Sequence, residues 1–282
     1  MLLKLPRADK MEHILSSERF PKKIWFLWLQ GMAAAPVVVK KCYESWVVQN
    51  NGWEIIFLDR GNLHIYFDLP AITLTDQALS DIIRINLLGQ YGGVWVDATC
   101  FCNKPLDTWI YNYIGQGFFA FERPGPDRMI SSWFIASCKN SYITSALQSA
   151  VNGYWKANPK LIFYERSRWP FLAKYLPKHP QQWFEFFYTK ILKIHPYFWF
   201  HFLFERIYIQ DEKMKKCWDA TPKISADIPH RLQNIGLFGP LSVEVKDEID
   251  GGISPLYKLV WKYKPSDIQP DSILDYLLEK KF

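Results

Sequence analysis

Asp81, Arg84 and Asp97 are the charged residues of this chain whose spacing points most directly to chemistry. Gln77, Asp81 and Arg84 fall at i, i+4 and i+7, one polar stripe of a helix. The apolar residues of the segment, Ala78, Leu79, Ile82, Ile83, Ile85, Leu87 and Leu88, cover most of its circumference. An ionised pair on so apolar a helix must be matched or used. From spacing alone, a structural Asp81–Arg84 ion pair is the plainer reading. Asp97 alters that balance. It ends the apolar run Val94-Trp95-Val96, which is entered through Gly92-Gly93, glycines that tolerate close backbone approach. Ligands of open α/β sheets bind outside the carboxyl ends of strands. A carboxylate there accepts a ribose hydroxyl or binds a metal, and an arginine from the adjacent helix reaches phosphate or sugar oxygens.

The elements that must position these residues alternate. "KKIWFLWLQG" (22–31) reads as a buried strand, "PVVVKKCYESWVVQNN" from Pro36 as a helix closed by Gly52, and "WEIIFLD" (53–59) as a second strand. Residues 75–89 form the next helix, with Gly89 as its stop, and "GVWVDATCF" is a third strand. This order predicts βα units in a mainly parallel sheet. "GFFAFERP" (117–124) and "RMISSWFIAS" (128–137) read as further strands, and residues 141–157 as a helix. From about 158 to 218 the chain is helical and aromatic, with Pro196 breaking 183–209, and the last third returns to short strands and loops.

Composition narrows the class. The 282 residues are 49% hydrophobic and 17% aromatic, enough to bury a substantial core and rich in rings that stack on flat ligands or sugar faces. The net charge of +6 is scattered, which excludes a nucleic-acid tail and fits anionic small molecules or a membrane surface. The five cysteines include no C-x-x-C pair and read as reduced thiols of a cytosolic protein. No secretory leader or membrane span is expected. No P-loop, G-x-G-x-x-G, G-x-S-x-G or H-E-x-x-H motif occurs, which argues against NTPase, dinucleotide, hydrolase and zinc-protease readings. His201, inside "YFWFHFLF", reads as a hydrogen-bonded core residue, and His230 as a residue lining the site.

The stretch "SDIIRINLLGQYGGVWVDAT" resembles the signature of glycosyltransferases with a DXD-containing sugar-binding region, a group that includes yeast-type mannosyltransferases and shares motifs with the glucosylating clostridial toxins. Within that group it is most similar to bacterial capsular polysaccharide synthesis proteins. The likeness extends through "PKKIWFLWLQG", "CYESWVVQNNGWEIIFLD", "YFWFHFLFERIY" and "SPLYKLVWK", roughly residues 20–263.

The resemblance implies a GT-A-like α/β fold with a single Rossmann-type nucleotide-binding domain and a helical insertion. It divides into a lead-in at 1–20, a nucleotide-sugar-binding core at 21–157, an aromatic acceptor-side subdomain at 158–218 and a C-terminal part at 219–282 that completes the site. It implies transfer of a hexose, with retention, from a nucleotide-diphosphate sugar, first of all a UDP-linked one, to a growing capsular or surface glycan. Trp28 would stack on the base, Asp81 and Arg84 would contact the donor sugar and its phosphate side, and Trp95 would line the nucleotide pocket. Asp97 would act in catalysis with Asp81 and Arg84, hold the ribose and assist a metal.

Thr99 departs from the pattern. A second acid would ligate Mn²⁺ or Mg²⁺, and a threonine hydroxyl is a poor substitute for a hard cation. Either Asp97, the diphosphate and waters hold the ion, or Lys258 and Lys262, spaced i,i+4, neutralise the diphosphate without one. The implied partners are the donor and a glycan acceptor, lipid-linked if the aromatic segment 183–209 meets a membrane through Lys190, Lys193 and Arg206. Packing into the core is the plainer expectation, above all for the second half, "YFWFHFLFERIY", where the resemblance implies burial, with the rest open to forming an exposed rim. The implied location is cytoplasmic, at most peripheral to the inner membrane face. Two rivals are a catalytically silent nucleotide-sugar or glycan-binding protein on the same scaffold and, last, a nucleotidyltransferase.

Overall fold

The computed structural model describes residues 19–70, 72, 74–163 and 184–281. Five strands form the central sheet: β1 (Lys23–Leu27), β2 (Glu54–Leu58), β3 (Gly93–Asp97), and an antiparallel hairpin of β5 (Phe118–Gly125) and β6 (Arg128–Ser137). Their order is β2-β1-β3-β6-β5. β1 runs parallel to β2 and β3, and β6 runs antiparallel to β3. The α/β class expected from the sequence is therefore present, but the sheet is mixed and not mainly parallel. The turn between β5 and β6 is too short for a crossover helix, so the second strand of the pair must return antiparallel.

The period-two alternation of the strands separates two cores. Ile24, Phe26, Val94 and Val96 pack on one face, with Val38, Val39 and Trp46 of helix α1 (Val37–Gln49). Trp25, Leu27 and Trp95 pack on the other, against Ile82, Ile83 and Leu87 of helix α2 (Asp76–Tyr91) and Leu147 and Val151 of helix α3 (Tyr142–Ala157). The Thr75 hydroxyl caps α2 by accepting from Ala78 N at 3.3 Å.

Gly89 does not stop α2, which continues to Tyr91 and ends at Gly92 with φ 70°. A Cβ at Gly89 would lie 2.3 Å from Gln148 Oε1, so the residue serves close helix packing against α3. The double glycine has the role its type suggests. Gly93 has φ 93°, and a Cβ there would lie 2.6 Å from the Lys23 carbonyl oxygen.

The strand expected over 93–101 is broken after Asp97 by a turn, and β4 (Cys100–Cys102) leaves the main sheet to pair with β9 (Leu256–Lys258). The remaining short strands, β7 (Ile162–Phe163) and β8 (Ile194–His195), pair with each other. The last third is more helical than expected: it contains α6 (Asp227–Ile235), which packs on β9, α7 (Val243–Asp250) and α8 (Ile273–Glu279). Within 158–218, residues 164–183 lie outside the described part. The remainder includes a π-helical segment (Phe184–Ile191), α4 (Trp199–Gln210) and α5 (Glu212–Asp219). Trp199, Phe200, Phe202, Leu203 and Phe204 are buried, as expected of the second half of the aromatic segment, whereas Phe186 and Ile191 are exposed. Arg206 pairs with Glu185. Among the described residues no helix is long and apolar enough to cross a membrane, and no cysteine pair is bonded.

Candidate active site

Asp97 ends β3 beside Leu27 of β1, at the carboxyl edge of the parallel strands. Trp95 and Asp97 are two residues apart, so both side chains face α2. There a network of charge-assisted hydrogen bonds forms. Arg84 Nη2 and Trp95 Nε1 each donate to Asp97 Oδ1 at 2.9 Å. Arg84 Nη1 donates to Asp81, and Nη2 also lies 3.3 Å from Ser80 Oγ. The guanidinium sits over the Trp95 ring, 5.1 Å from its centroid. Arg84 is only 3% exposed.

The two carboxylates differ in their surroundings. Burial pushes Asp81 up to about 7, since Arg84 only partly offsets the desolvation and Asp97 adds repulsion. Burial also acts on Asp97, but Arg84, Lys258 and the Trp95 hydrogen bond outweigh it and hold the carboxyl below its ordinary value. Asp97 is thus kept ionised, an acceptor at neutral pH.

Lys258 reaches the site from the far end of the chain. Pairing of β9 with β4 sets it opposite Cys100, and the backbone is fixed on both sides. Leu259 N donates to the Thr99 carbonyl at 2.7 Å, and Gln233 Nε2 donates to the Lys258 carbonyl at 2.8 Å. Lys258 Nζ donates to Thr99 Oγ1 and lies 3.7 Å from Asp97 Oδ2.

These groups open on a cavity of about 920 Å³. Trp28, Trp95, Asp97, Thr99, Lys258 and Lys262 all line it. Trp28 meets Trp261 edge to face, 5.4 Å between centroids at 86°, which forms an aromatic wall. Trp95 is 1% exposed, so its part is to support Asp97 and Arg84 more than to offer a surface. Lys262 is exposed on the rim, with its Nζ 5.3 Å from the Trp261 ring.

Asp81 and Arg84 line a second, smaller cavity of about 110 Å³ on the other side of Asp97, with Ser132, His195 and His201. Asp97, Gln77, Ser80 and Tyr197 border both cavities. His201 is buried, as expected, but among the described residues its Nδ1 has no hydrogen-bond partner. Burial pushes its imidazole down to about 3.

The sequence reading missed Gln30, Gln233, Tyr197 and Trp261 as lining residues. The i,i+3 spacing of His230 and Gln233 on α6 was the one available signal for Gln233. Trp261 lies inside the motif "YKLVWK", between the two lysines, but was not singled out.

The donor set fits a divalent cation poorly. The Thr99 hydroxyl accepts from an ammonium, Asp97 Oδ1 already accepts two hydrogen bonds, and Lys258 approaches Oδ2. Among the described residues no three His, Cys, Asp or Glu side chains cluster as metal ligands.

The profile of one family, described as capsular polysaccharide synthesis protein, matches residues 7–176 and 167–277. The O-glycosyltransferase braB of Annulohypoxylon truncatum is 26% identical over 152 residues, covering 45% of this chain and 36% of that protein. The glycosyltransferase afumC of Aspergillus fumigatus is 30% identical over 108 residues, covering 32% and 28%. The matched part is therefore about a third of each curated relative. The solved PaToxG glycosyltransferase superposes with a TM-score of 0.40 at 13% identity, over 83% of this chain and 85% of that one.

Proposed function

The chain belongs to the capsular polysaccharide synthesis protein family, and from that premise we propose that it is a hexosyltransferase using a nucleotide-diphosphate sugar, in the first place a UDP-linked one. The sugar passes to a hydroxyl of a growing glycan in capsular or surface polysaccharide synthesis. The C1–O bond to the diphosphate breaks and its electron pair leaves with the phosphate oxygen. The acceptor oxygen forms the new C1–O bond, and its proton passes to the departing diphosphate. Attack from the face the diphosphate leaves retains the anomeric configuration, the outcome the family resemblance implies.

The observation that carries the reading is Asp97 at the carboxyl edge of β3, ionised and aimed into a cavity large enough for a nucleotide sugar. Its Oδ2, not engaged by Arg84 or Trp95, accepts the ribose hydroxyls. The Trp28–Trp261 wall takes the base. Arg84, with both terminal nitrogens engaged, orients Asp81 and Asp97, and Asp81 faces the sugar through the smaller cavity. The acceptor enters on the side of Tyr197, which borders both cavities. Exposed Phe186, Lys190, Ile191 and Lys193 form the rim that meets a lipid-linked acceptor at a membrane surface.

Thr99 in place of a second acid favours one competing reading, a binding protein without turnover. Isothermal titration with UDP and GDP, followed by mass spectrometry of UDP-sugars incubated with the protein, separates the two. Binding with release of free UDP supports the transferase. Binding without release supports the silent nucleotide-sugar-binding scaffold, and no nucleotide binding to folded protein rejects both and leaves a glycan-binding scaffold.

A further inference from the structure

We propose that Lys258 stands where a DXD-type site would hold its divalent cation, and that the departing diphosphate is neutralised by this ammonium without a metal. The inference rests on the donor assignment above and specifies the chemistry of the same site.

Three observations converge. Lys258 Nζ bridges the two positions of the motif, donating to Thr99 Oγ1 and lying 3.7 Å from Asp97 Oδ2. The lysine is built in: β9 pairs with β4, and the Leu259 and Gln233 hydrogen bonds lock its backbone on both sides. Its side chain is 17% exposed, and what remains open faces the 920 Å³ cavity. A dication placed between Asp97 and Thr99 would meet this ammonium at close range and find one carboxylate, already shared with Arg84 and Trp95, and one neutral hydroxyl. An ammonium and a threonine hydroxyl instead satisfy each other, and the lysine keeps donors for phosphate oxygens. The lysine is a preorganised positive charge at the place where negative charge develops as the C1–O bond breaks, which is the arrangement that stabilises such a step. Lys262, exposed at the rim, has no comparable anchoring.

Titrate UDP into the full chain in EDTA and in Mn²⁺, and follow Mn²⁺ uptake separately by electron paramagnetic resonance. The expected UDP affinities agree within about twofold, with no stoichiometric Mn²⁺ uptake. Lys258→Met should weaken UDP binding in EDTA at least tenfold, and Lys258→Arg should recover most of it. Thr99→Asp combined with Lys258→Ala should restore binding only when Mn²⁺ is present, and circular dichroism checks that each variant is folded. Wild-type binding that falls tenfold or more in EDTA would overturn this inference and leave the donor assignment standing. Absence of UDP and GDP binding under both conditions overturns the donor assignment and the inference together.

Discussion

Arg84 donates to Asp97 Oδ1 at 2.9 Å while its other terminal nitrogen holds Asp81, so one buried guanidinium fixes two carboxylates. One helix turn and one strand end are thereby locked to each other. The arrangement turns an ordinary i,i+3 ion pair into part of a site, because the strand residue lies on the cavity wall.

Removing Arg84 should therefore cost far more than a surface charge. Arg84→Leu leaves two part-buried carboxylates without their shared cation, Asp81 with side chain 13% exposed and Asp97 with 30%. We expect a loss of about 3–5 kcal/mol in urea denaturation, the range for breaking a buried ion pair. A loss under 1 kcal/mol would mean that the network does not hold the fold.

Asp81 gives the protein a specific pH signature. Its folded value, about 7, lies above the ordinary 3.8, so its contribution to stability is full below pH 3.8 and is lost as pH rises through 7. Asp97 has the opposite sign: its contribution is present above its ordinary value and is lost as pH falls through its lowered folded value. Buried His195 and His201, pushed down to about 4 and about 3, likewise lose stability as pH falls below 6.5. A difference measurement isolates Asp81. The melting temperature of Asp81→Asn minus that of wild type should increase from pH 5 to pH 8, by an amount worth on the order of 2–4 kcal/mol. A flat difference would refute the raised carboxyl.

The glycines separate two kinds of constraint. Gly93→Ala must place a Cβ against the Lys23 carbonyl at φ 93°, both costs falling on backbone, and should destabilise by more than about 2 kcal/mol. Gly89→Ala meets the movable end of Gln148, breaking its hydrogen bond to Asn86, and gains about 1 kcal/mol of helix propensity. It should change stability by less than about 1 kcal/mol. Chemical denaturation of both variants checks the contrast.

The same two positions show what could be read before the structure. The Gly92-Gly93 pair was legible because it precedes an apolar run, and both residues take positive φ. Gly89 was read as a helix stop because a packing glycine and a terminating glycine look alike until the neighbouring helix is placed. Trp28, Asp97, Thr99, Lys258 and Lys262 were named from sequence and all reach one cavity. The pairing of β4 with β9, which delivers Lys258, joins residues 100 and 258 and has no local signal. The β5–β6 hairpin was legible as two strands joined by a short turn at Pro124-Gly125-Pro126, and that turn already requires an antiparallel return, which the expectation of a mainly parallel sheet left out. Helices α6, α7 and α8 were missed because they are short and bounded by Gly and Pro, which read as loop.

The aromatic wall should contribute to nucleotide affinity without carrying the fold. Trp28→Ala removes the ring that meets Trp261 at 5.4 Å. The expected effect is about tenfold weaker UDP binding, on the order of 1–2 kcal/mol for a lost stacking partner, with tryptophan fluorescence no longer quenched by UDP. Unchanged affinity would place the base elsewhere in the cavity.

The central claim is that Asp97 serves transfer from a nucleotide sugar. Its most direct test compares wild type with Asp97→Asn across a panel of nucleotide sugars, measuring nucleoside diphosphate release by mass spectrometry. Wild type should release the diphosphate from at least one donor. Asp97→Asn, folded by circular dichroism, should release it at least a hundredfold more slowly. Equal release by both proteins, or none by wild type from any donor, would contradict the account.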